Sequence, residues 1–250
     1  MSRRRLESAG GVFHVINRGN YKAPVFASDG AKAAFLKCLG ETCERAKWQV
    51  HAWCLMSNHY HLAIKTPLAN LAEGMGWFQS TFASRFNRLR NERGHLFQGR
   101  YKSLVVDPNQ GLGPVCHYIH LNPVEAGLCK VEALPEDRWT SLSWLFRPRA
   151  RPHWYEPWPA LAHAGDLPDN SAGWRNYLAY LAWLAADEPA RKEQQFEAMC
   201  RGWIIGGLEF AKTVMRQRQE LPGQGPRSRR SCREPGRLSG RRPSASSSRG

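Results

Sequence analysis

The pattern of apolar and polar positions before residue 108 predicts four strands and two helices. Alternation typical of strands occurs over residues 11–18, 48–55, 53–65 and 101–107. Ser28 or Asp29 can cap a helix that runs to about Ala46, and apolar residues at steps of three and four mark a second helix over residues 68–93, ended by Gly94. The order strand, helix, strand, strand, helix, strand predicts an α+β fold. It is typical of a ferredoxin-like antiparallel sheet with both helices on one face and the other face open.

A pair of histidines lies in the stretch WCLMSNHYHLAIK, residues 53–65. A short turn around Ser57 and Asn58 precedes the histidines and joins their strand to the strand before it as a hairpin. Residues two apart on a strand point to the same face, so His59 and His61 share one face. Tyr60, Leu62 and Ile64 then pack beneath the helices, which assigns the histidines to the open face. Two neighbouring imidazoles can bind one divalent cation, although a lone His-x-His pair also arises by chance in half-buried strands.

A third helix is predicted after residue 113, with a tyrosine at its centre. Pro114 suits the first turn of a helix, and Pro123 is expected to end that helix at Asn122. Gly111 and Gly113, just ahead of Pro114, are poor helix formers, so we expect the helix to be short or mobile. Tyr118 and Asn122 are four residues apart and therefore lie on one helical face, although Asn122 could serve only to end the helix.

Several other polar residues allow two interpretations. Arg85 and Arg88 lie off the apolar stripe of the second helix, where they either face solvent or contact phosphates. His117 and His120 flank Tyr118 but point elsewhere, so we expect them at the surface or behind the metal ligands. Cys54 lies near the hairpin turn before His59, from where its thiol could reach a metal.

The rest of the chain divides into a helical part and a basic tail. RWTSLSW, residues 138–144, is predicted to pack a tryptophan against the first domain. Helices are expected over residues 174–186 and 189–217, the latter broken near Gly206 and Gly207. The final Arg-, Ser-, Gly- and Pro-rich segment cannot bury a core and is predicted to be disordered. The predicted division is residues 1–146, a helical extension over 147–221, and the tail over 222–250.

Charge and composition indicate the kind of partner, the state of the cysteines and the location of the protein. The 250 residues carry a net charge of +15, with 20 Lys and Arg against 11 Asp and Glu in residues 1–150, and 10 against 2 after residue 215. A surplus of this size indicates a polyanionic partner such as nucleic acid. The seven cysteines include no C-x-x-C pair, which favours reduced thiols over a structural zinc site. No run of about 20 apolar residues occurs, so we expect a cytoplasmic protein that does not cross a membrane.

Five segments together resemble the single-tyrosine HUH transposases, and most closely the REP-associated tyrosine transposases. The segments are HVINRGN (14–20), HAWCLMSNHYHL (51–62), GHLFQGRYKS (94–103), YIHLNPVEAGL (118–128) and RWTSLSW (138–144). The resemblance covers about residues 11–146. Residues 201–214 are similar to a C-terminal element of longer members.

The resemblance implies a fold like the one predicted, with the tyrosine helix on the open sheet face. It implies cleavage and rejoining of single-stranded DNA, often beside a hairpin, by a nucleophilic Tyr118 that stays linked to the 5′ phosphate. His59, His61 and Asn122 are then the expected ligands of Mg²⁺ or Mn²⁺. Single-stranded or hairpin DNA is the expected partner of a nucleoid-associated monomer or homodimer. The residues predicted to contact DNA are Arg18, Arg85, Arg88, Arg100 and Lys102.

Three other functions remain open from the sequence. An HUH replication initiator or relaxase would share the histidine pair, but relaxases often use two tyrosines and the Tyr118 helix holds one. A nucleic-acid-binding protein without activity could use the open sheet face as its platform. A structural zinc protein is disfavoured by the absence of clustered cysteines.

Overall fold

The computed structural model describes residues 7–220, so the predicted disorder of 222–250 lies outside the described residues. The strands are β1 (Gly11–Arg18), β2 (Gln49–Leu55), β3 (His59–Thr66), β4 (Lys102–Val106) and β5 (Ile204–Ile205). The first four helices are α1 (Asp29–Ala46), α2 (Leu71–Arg90), α3 (Leu112–Glu125) and α4 (Leu142–Leu145). The others are α5 (Trp158–His163), α6 (Ser171–Ala186), α7 (Glu188–Glu193) and α8 (Leu208–Glu220).

The strands form one sheet in the order β2-β3-β1-β4-β5. The first four pair antiparallel, in the order of a ferredoxin-like sheet, which confirms the predicted α+β fold. The fifth strand was not predicted. It pairs parallel to β4, with Val105 opposite Ile204 and Val106 opposite Ile205, and so extends the sheet with residues from the C-terminal part of the chain.

One sheet face, the helical face, packs against α1 and α2. Ser28 caps α1 as predicted, because its side chain accepts a hydrogen bond from the Ala31 amide. The apolar stripe of α2 is buried up to Phe86, but Leu89, predicted to belong to it, is exposed. The second helix also ends earlier than predicted, at Asn91 rather than Gly94, because Asn91 adopts a left-handed conformation (φ 52°).

The opposite face, the tyrosine face, packs against α3. This helix has 14 residues and is longer than predicted, since Pro123 lies inside it. Pro123 gives up only one backbone hydrogen bond, and burial of most of the helix against the sheet outweighs that loss. Gly113 is used for close packing, because a Cβ there would clash with the His163 side chain. The predicted short helix was therefore wrong, and the glycine expected to weaken it lets α5 approach.

The extension that begins at residue 147 shares the core of the tyrosine face. Tyr177, Leu181 and Leu184 of α6 are fully buried in the same cluster as Val115 and Ile119 of α3. Ahead of the extension, Trp144 packs edge-on against Trp53 (ring centroids 5.0 Å apart), as the RWTSLSW segment predicted. The domain boundary at residue 146 stays a prediction. Within residues 7–220, no helix is both long enough and apolar enough to span a membrane.

Candidate active site

The register of β1 against β3 brings three histidines to the tyrosine face. Arg18 lies opposite His59, and Ile16 lies opposite His61. His14 is two residues before Ile16, so its ring is the diagonal neighbour of His61, with ring centroids 5.2 Å apart. His59 and His61 have ring centroids 5.1 Å apart. The predicted pairing of the two motif histidines on one face is therefore present in the structure, and His14 joins them.

Hydrogen bonds determine which nitrogen each motif histidine presents. The His59 Nδ1 atom lies 2.7 Å from Asn58 Oδ1, an acceptor, so Nδ1 carries the hydrogen. His14 Nδ1 similarly donates to the Met199 carbonyl at 3.0 Å, which leaves His14 Nε2 as an acceptor. His61 Nδ1 donates to that atom at 3.0 Å. Both motif histidines therefore keep the lone pair of Nε2, the form in which imidazole binds a metal.

The three rings are neutral at physiological pH. Burial lowers the pKa of His14 to about 4, and burial together with the nearby Arg18 lowers the pKa of His59 to about 4. Burial, and then the neighbouring histidine rings, hold the pKa of His61 well below its ordinary 6.5. Neutral imidazoles are available to bind a cation and add no positive charge of their own.

Tyr118 projects from α3 onto the histidines. Its ring lies edge-on to those of His61 and His14, with centroids 5.7 Å and 6.0 Å apart. Its hydroxyl lies 3.1 Å from Cys200 Sγ, and Phe196 packs edge-on at 5.5 Å. Two residues of the extension therefore contact the predicted nucleophile directly.

The Tyr118 hydroxyl is protonated in the free protein. Burial raises its pKa above the ordinary value of 10, and the Cys200 hydrogen bond raises that pKa further. Burial also raises the pKa of the Cys200 thiol, so the pair is neutral at pH 7. Since a protonated phenol is a weak nucleophile, attack on a phosphate would require a change that lowers the pKa of Tyr118.

One cavity of about 430 Å³, the histidine–tyrosine pocket, is lined by His59, His61, Tyr118 and Cys200. Among the predicted residues, it brings together His59, His61, Tyr118, Asn122, Arg18, Arg100 and Lys102. No Asp or Glu is among the described residues that line it. The Asn122 amide donates to the Tyr118 carbonyl at 3.4 Å, which leaves the Asn122 Oδ1 atom as an acceptor. The pocket thus combines cationic side chains with a hydroxyl and neutral metal-binding atoms.

Two predicted DNA contacts lie elsewhere. Arg85 and Arg88 are on α2, on the helical face, and Arg85 pairs with Glu41 at 2.8 Å. Cys54 lies on β2 and contacts Met56 Sδ at 3.6 Å rather than lining the pocket. The structure therefore brings the β-sheet cations to Tyr118 but not those of α2.

His117 and His120 are fully buried, not at the surface or behind the metal ligands. The Nδ1 atom of each lies 2.9 Å from the Tyr177 hydroxyl on α6. His120 Nε2 also bonds Ser141 Oγ at 2.9 Å, and His117 Nε2 bonds His163 at 3.1 Å. Their physical role is to join α3 to the extension, because both helices contribute to one buried hydrogen-bond network.

The donor atoms in the pocket fit a divalent cation only in part. Two imidazole Nε2 atoms and the Asn122 amide oxygen are suitable ligands, whereas Mg²⁺ and Mn²⁺ prefer about six mostly oxygen ligands. Across residues 7–220, no three His, Cys, Asp or Glu side chains form a metal-binding group. Substrate oxygens and water would have to supply the remaining positions.

Three contributors to the pocket were missed from the sequence. His14 could have been found, because alternation places it on the same strand face as Arg18. Asn58 was assigned only to the hairpin turn, although an Asn side chain beside a metal-binding histidine can orient its ring. Cys200 had no sequence signal, since its contact with Tyr118 spans 82 positions and depends on how the extension folds back.

Comparison with known proteins gives a family match and two structural likenesses. Residues 9–122 match the family model described as "Transposase IS200 like". A solved structure of a REP-associated tyrosine transposase bound to a REP hairpin is 14% identical, with a TM-score of 0.49, and the match covers 61% of this chain and 88% of that one. A putative transposase from Deinococcus radiodurans R1 is 18% identical, with a TM-score of 0.35, covering 43% and 87%. No curated protein matches the chain.

The family match runs from the residues before β1 to Asn122 on α3. It therefore includes the histidine pair, the β-sheet cations and Tyr118. The extension, which supplies Phe196 and Cys200, lies beyond it. Residues 9–122, somewhat less than half of the chain, are therefore similar to the IS200-like transposase family.

Proposed function

We propose that this protein cleaves and rejoins single-stranded DNA by nucleophilic attack of the Tyr118 hydroxyl on a phosphodiester. The observation that carries the proposal is the arrangement of Tyr118 against the His61 and His14 rings in a pocket with three cationic side chains. In the proposed reaction, the Tyr118 oxygen bonds to phosphorus and the 3′ oxygen leaves. The resulting 5′-phosphotyrosine keeps the phosphodiester energy, so a second 3′-hydroxyl can reverse the step without ATP.

The cations of the pocket suit an anionic strand. Arg18, Arg100 and Lys102 can contact phosphate oxygens and hold the scissile phosphate near the Tyr118 hydroxyl. Lys102 Nζ donates to the Cys200 carbonyl at 2.6 Å, which fixes the position of its ammonium group. Such placement contributes to catalysis because attack needs the hydroxyl in line with the leaving oxygen.

We assign His59 Nε2, His61 Nε2 and Asn122 Oδ1 as the protein atoms that would hold Mg²⁺ or Mn²⁺. When bound, the cation would neutralise phosphate charge and favour ionisation of a nearby phenol. The protein's part is to keep both imidazoles neutral and to orient them through Asn58 and His14. Hairpin-directed cleavage, implied by the sequence resemblance, belongs to the same proposal.

The test uses the full-length protein with single-stranded and hairpin oligonucleotides and Mg²⁺ or Mn²⁺. The parent should form a covalent protein–DNA adduct on a denaturing gel, and Tyr118→Phe should form none, while binding of DNA persists. His59→Ala should also lose cleavage and keep binding, since binding depends mainly on phosphate–cation contacts. Tyr60→Phe and Tyr101→Phe are controls, because both side chains are buried on the helical face.

A metal-dependent adduct from Tyr118→Phe would overturn the proposal. DNA binding by the parent without any adduct would favour the alternative, a nucleic-acid-binding protein with no activity. The raised pKa of Tyr118 and its bond to Cys200 are the features consistent with that alternative.

A further inference from the structure

We propose that Tyr21 stacks on an unpaired nucleobase of the DNA strand that enters the histidine–tyrosine pocket. The inference rests on the proposed function for its ligand, single-stranded nucleic acid. It adds a base-binding position that lies outside the pocket and contains neither the nucleophile nor the expected metal ligands.

Tyr21 is the most exposed large apolar side chain among residues 7–220, at 93%. It adopts a left-handed backbone conformation (φ 49°, ψ 30°), and Lys22 does the same (φ 59°). An aromatic residue in this region is uncommon, because its Cβ crowds the backbone. Strained residues of this kind are found at ligand-binding positions, where the surrounding structure maintains them.

The surrounding structure holds the turn firmly. Gly19 donates its amide hydrogen to the Asn58 carbonyl at 2.8 Å, and Asn20 donates to the Leu96 carbonyl at 2.9 Å. Asn58 also orients His59 through its side chain. The turn that presents Tyr21 is therefore attached to the same residue that orients a predicted metal ligand.

Tyr21 lines a second cavity of about 500 Å³, the Tyr21 cleft, with Pro24, Arg90, Arg93, His95 and Leu96. The cleft and the histidine–tyrosine pocket share two stretches of the chain, although α2 also contributes to the cleft and β3 and α3 to the pocket. Arg18 lines the pocket and Asn20 the cleft, while residues 98–100 line the pocket and 93–96 the cleft. A single strand could therefore run along one continuous path past both cavities.

The distance and the charges suit a strand of a few nucleotides. Arg18 and Tyr21 are three residues apart, so their Cα atoms lie at most about 10 Å from each other. Stacked nucleotides in one strand advance about 3.4 Å each. Arg90 and Arg93 line the cleft, Lys22 follows Tyr21 in the chain, and Glu92, which also lines the cleft, pairs with Arg90 at 2.8 Å. An exposed aromatic ring among cations is the usual arrangement for binding single-stranded nucleic acid.

The experiment measures binding without cleavage, using full-length protein that carries Tyr118→Phe. The probe is an oligothymidylate with one 2-aminopurine, moved along the strand from one oligonucleotide to the next. When the protein keeps Tyr21, we expect binding to quench the 2-aminopurine fluorescence at one position of the oligonucleotide. The Tyr21→Ala protein should not quench the fluorescence at that position. Tyr21→Trp should restore the quenching, because it preserves the aromatic face.

Affinity provides the second measurement. Tyr21→Ala should weaken binding between about 5-fold and 150-fold, the range that stacking of one base contributes. The loss should disappear when that position of the oligonucleotide is abasic, whereas Lys22→Ala should weaken binding to both probes. Trp183→Ala is the matched control, because Trp183 is a half-exposed aromatic residue on α6. The Trp183→Ala protein should bind the oligonucleotide with the same affinity as the protein that keeps Trp183.

Equal weakening of the normal and abasic probes by Tyr21→Ala would overturn the inference, as would unchanged affinity for both. Thermal unfolding of Tyr21→Ala should match that of the parent, which distinguishes removal of the stacking ring from damage to the fold. Because no readout requires an adduct, the stacking inference can fail while Tyr118 remains the nucleophile. Conversely, an adduct from the Tyr118→Phe protein would overturn the proposed function and leave the stacking result intact.

Discussion

His61 donates its Nδ1 hydrogen to Nε2 of His14 at 3.0 Å, and His14 in turn donates to the Met199 carbonyl. A histidine outside the His-x-His motif thus determines which nitrogen of His61 is left for the pocket. The Met199 carbonyl belongs to the extension, so the orientation of the motif depends on residues far beyond the family match.

His14→Ala should weaken Mn²⁺ binding by roughly 10- to 100-fold, the usual effect of removing a group that orients a metal-binding histidine. Isothermal titration of the DNA-free protein with Mn²⁺ measures this directly. His14→Gln should recover part of the affinity, because its amide oxygen can accept the His61 hydrogen. His153→Ala is the control, since His153 is exposed, pairs with Glu44 and does not line the pocket. Equal Mn²⁺ affinity of His14→Ala and the parent would contradict the assigned role.

Modification of Cys200 should block adduct formation. Its sulfur lies 3.1 Å from the Tyr118 hydroxyl, so a maleimide group at that position would occupy the space a phosphate needs. The parent treated with N-ethylmaleimide should lose the covalent adduct, and Cys200→Ala should be insensitive to the reagent. Adduct loss in treated Cys200→Ala would assign the effect to another cysteine, such as the partly exposed Cys129.

Tyr177→Phe should destabilise the fold by about 3 kcal/mol. Its hydroxyl bonds both His117 and His120, and each buried polar group left without a partner costs roughly 1–3 kcal/mol. Urea denaturation measures the change. Tyr180→Phe is the matched control on the same helix: the half-buried Tyr180 hydroxyl accepts a hydrogen bond from Gln194 Nε2 and does not join two buried histidines, so we expect a change below about 1 kcal/mol.

Stability should fall as the pH is lowered from 7 to 5. Burial holds the pKa of His117 and of His51 below the ordinary 6.5, so the unfolded chain takes up protons that the folded protein does not. The contribution of these two histidines to the free energy of unfolding is complete above pH 6.5. Below pH 6.5, that contribution decreases by about 1.4 kcal/mol per pH unit for each histidine that stays neutral in the folded protein.

The slope of the unfolding free energy against pH reports how many protons the chain takes up on unfolding. His117→Gln should reduce that number by about one. A slope that does not change in His117→Gln would show that this histidine takes up its proton in the folded state.

Removal of residues 222–250 should weaken non-specific DNA binding and flatten its dependence on salt. The segment contains eight arginines and Glu234, a net charge of +7. For duplex DNA, the salt slope falls by slightly less than one for every phosphate that the protein no longer neutralises. The choice of cleavage site should be unchanged, because charge without base contacts carries no sequence information. An unchanged salt slope in the truncated protein would rule out a DNA-anchoring role for the tail.

The sequence by itself determined the first four strands, the two helices of the helical face and seven of the residues that line the pocket, but not Cys200. Period-two alternation assigned His59 and His61 to the face opposite Tyr60, and that assignment depends only on local backbone geometry. The four-residue step from Tyr118 to Asn122 likewise placed both on one side of α3. The repeat of a single strand or helix is sufficient to predict these two pairs, because both residues of each pair lie on the same element.

Tertiary packing alone decided the length of α3 and the surroundings of Tyr118. Local rules ended the helix at Asn122, but burial against the sheet carries it through Pro123 to Glu125. The contacts of Tyr118 with Phe196 and Cys200 join residues about 80 positions apart, and no local pattern specifies them. Their physical cause is that the extension buries its apolar side chains on the tyrosine face, and β5 completes the sheet beside β4.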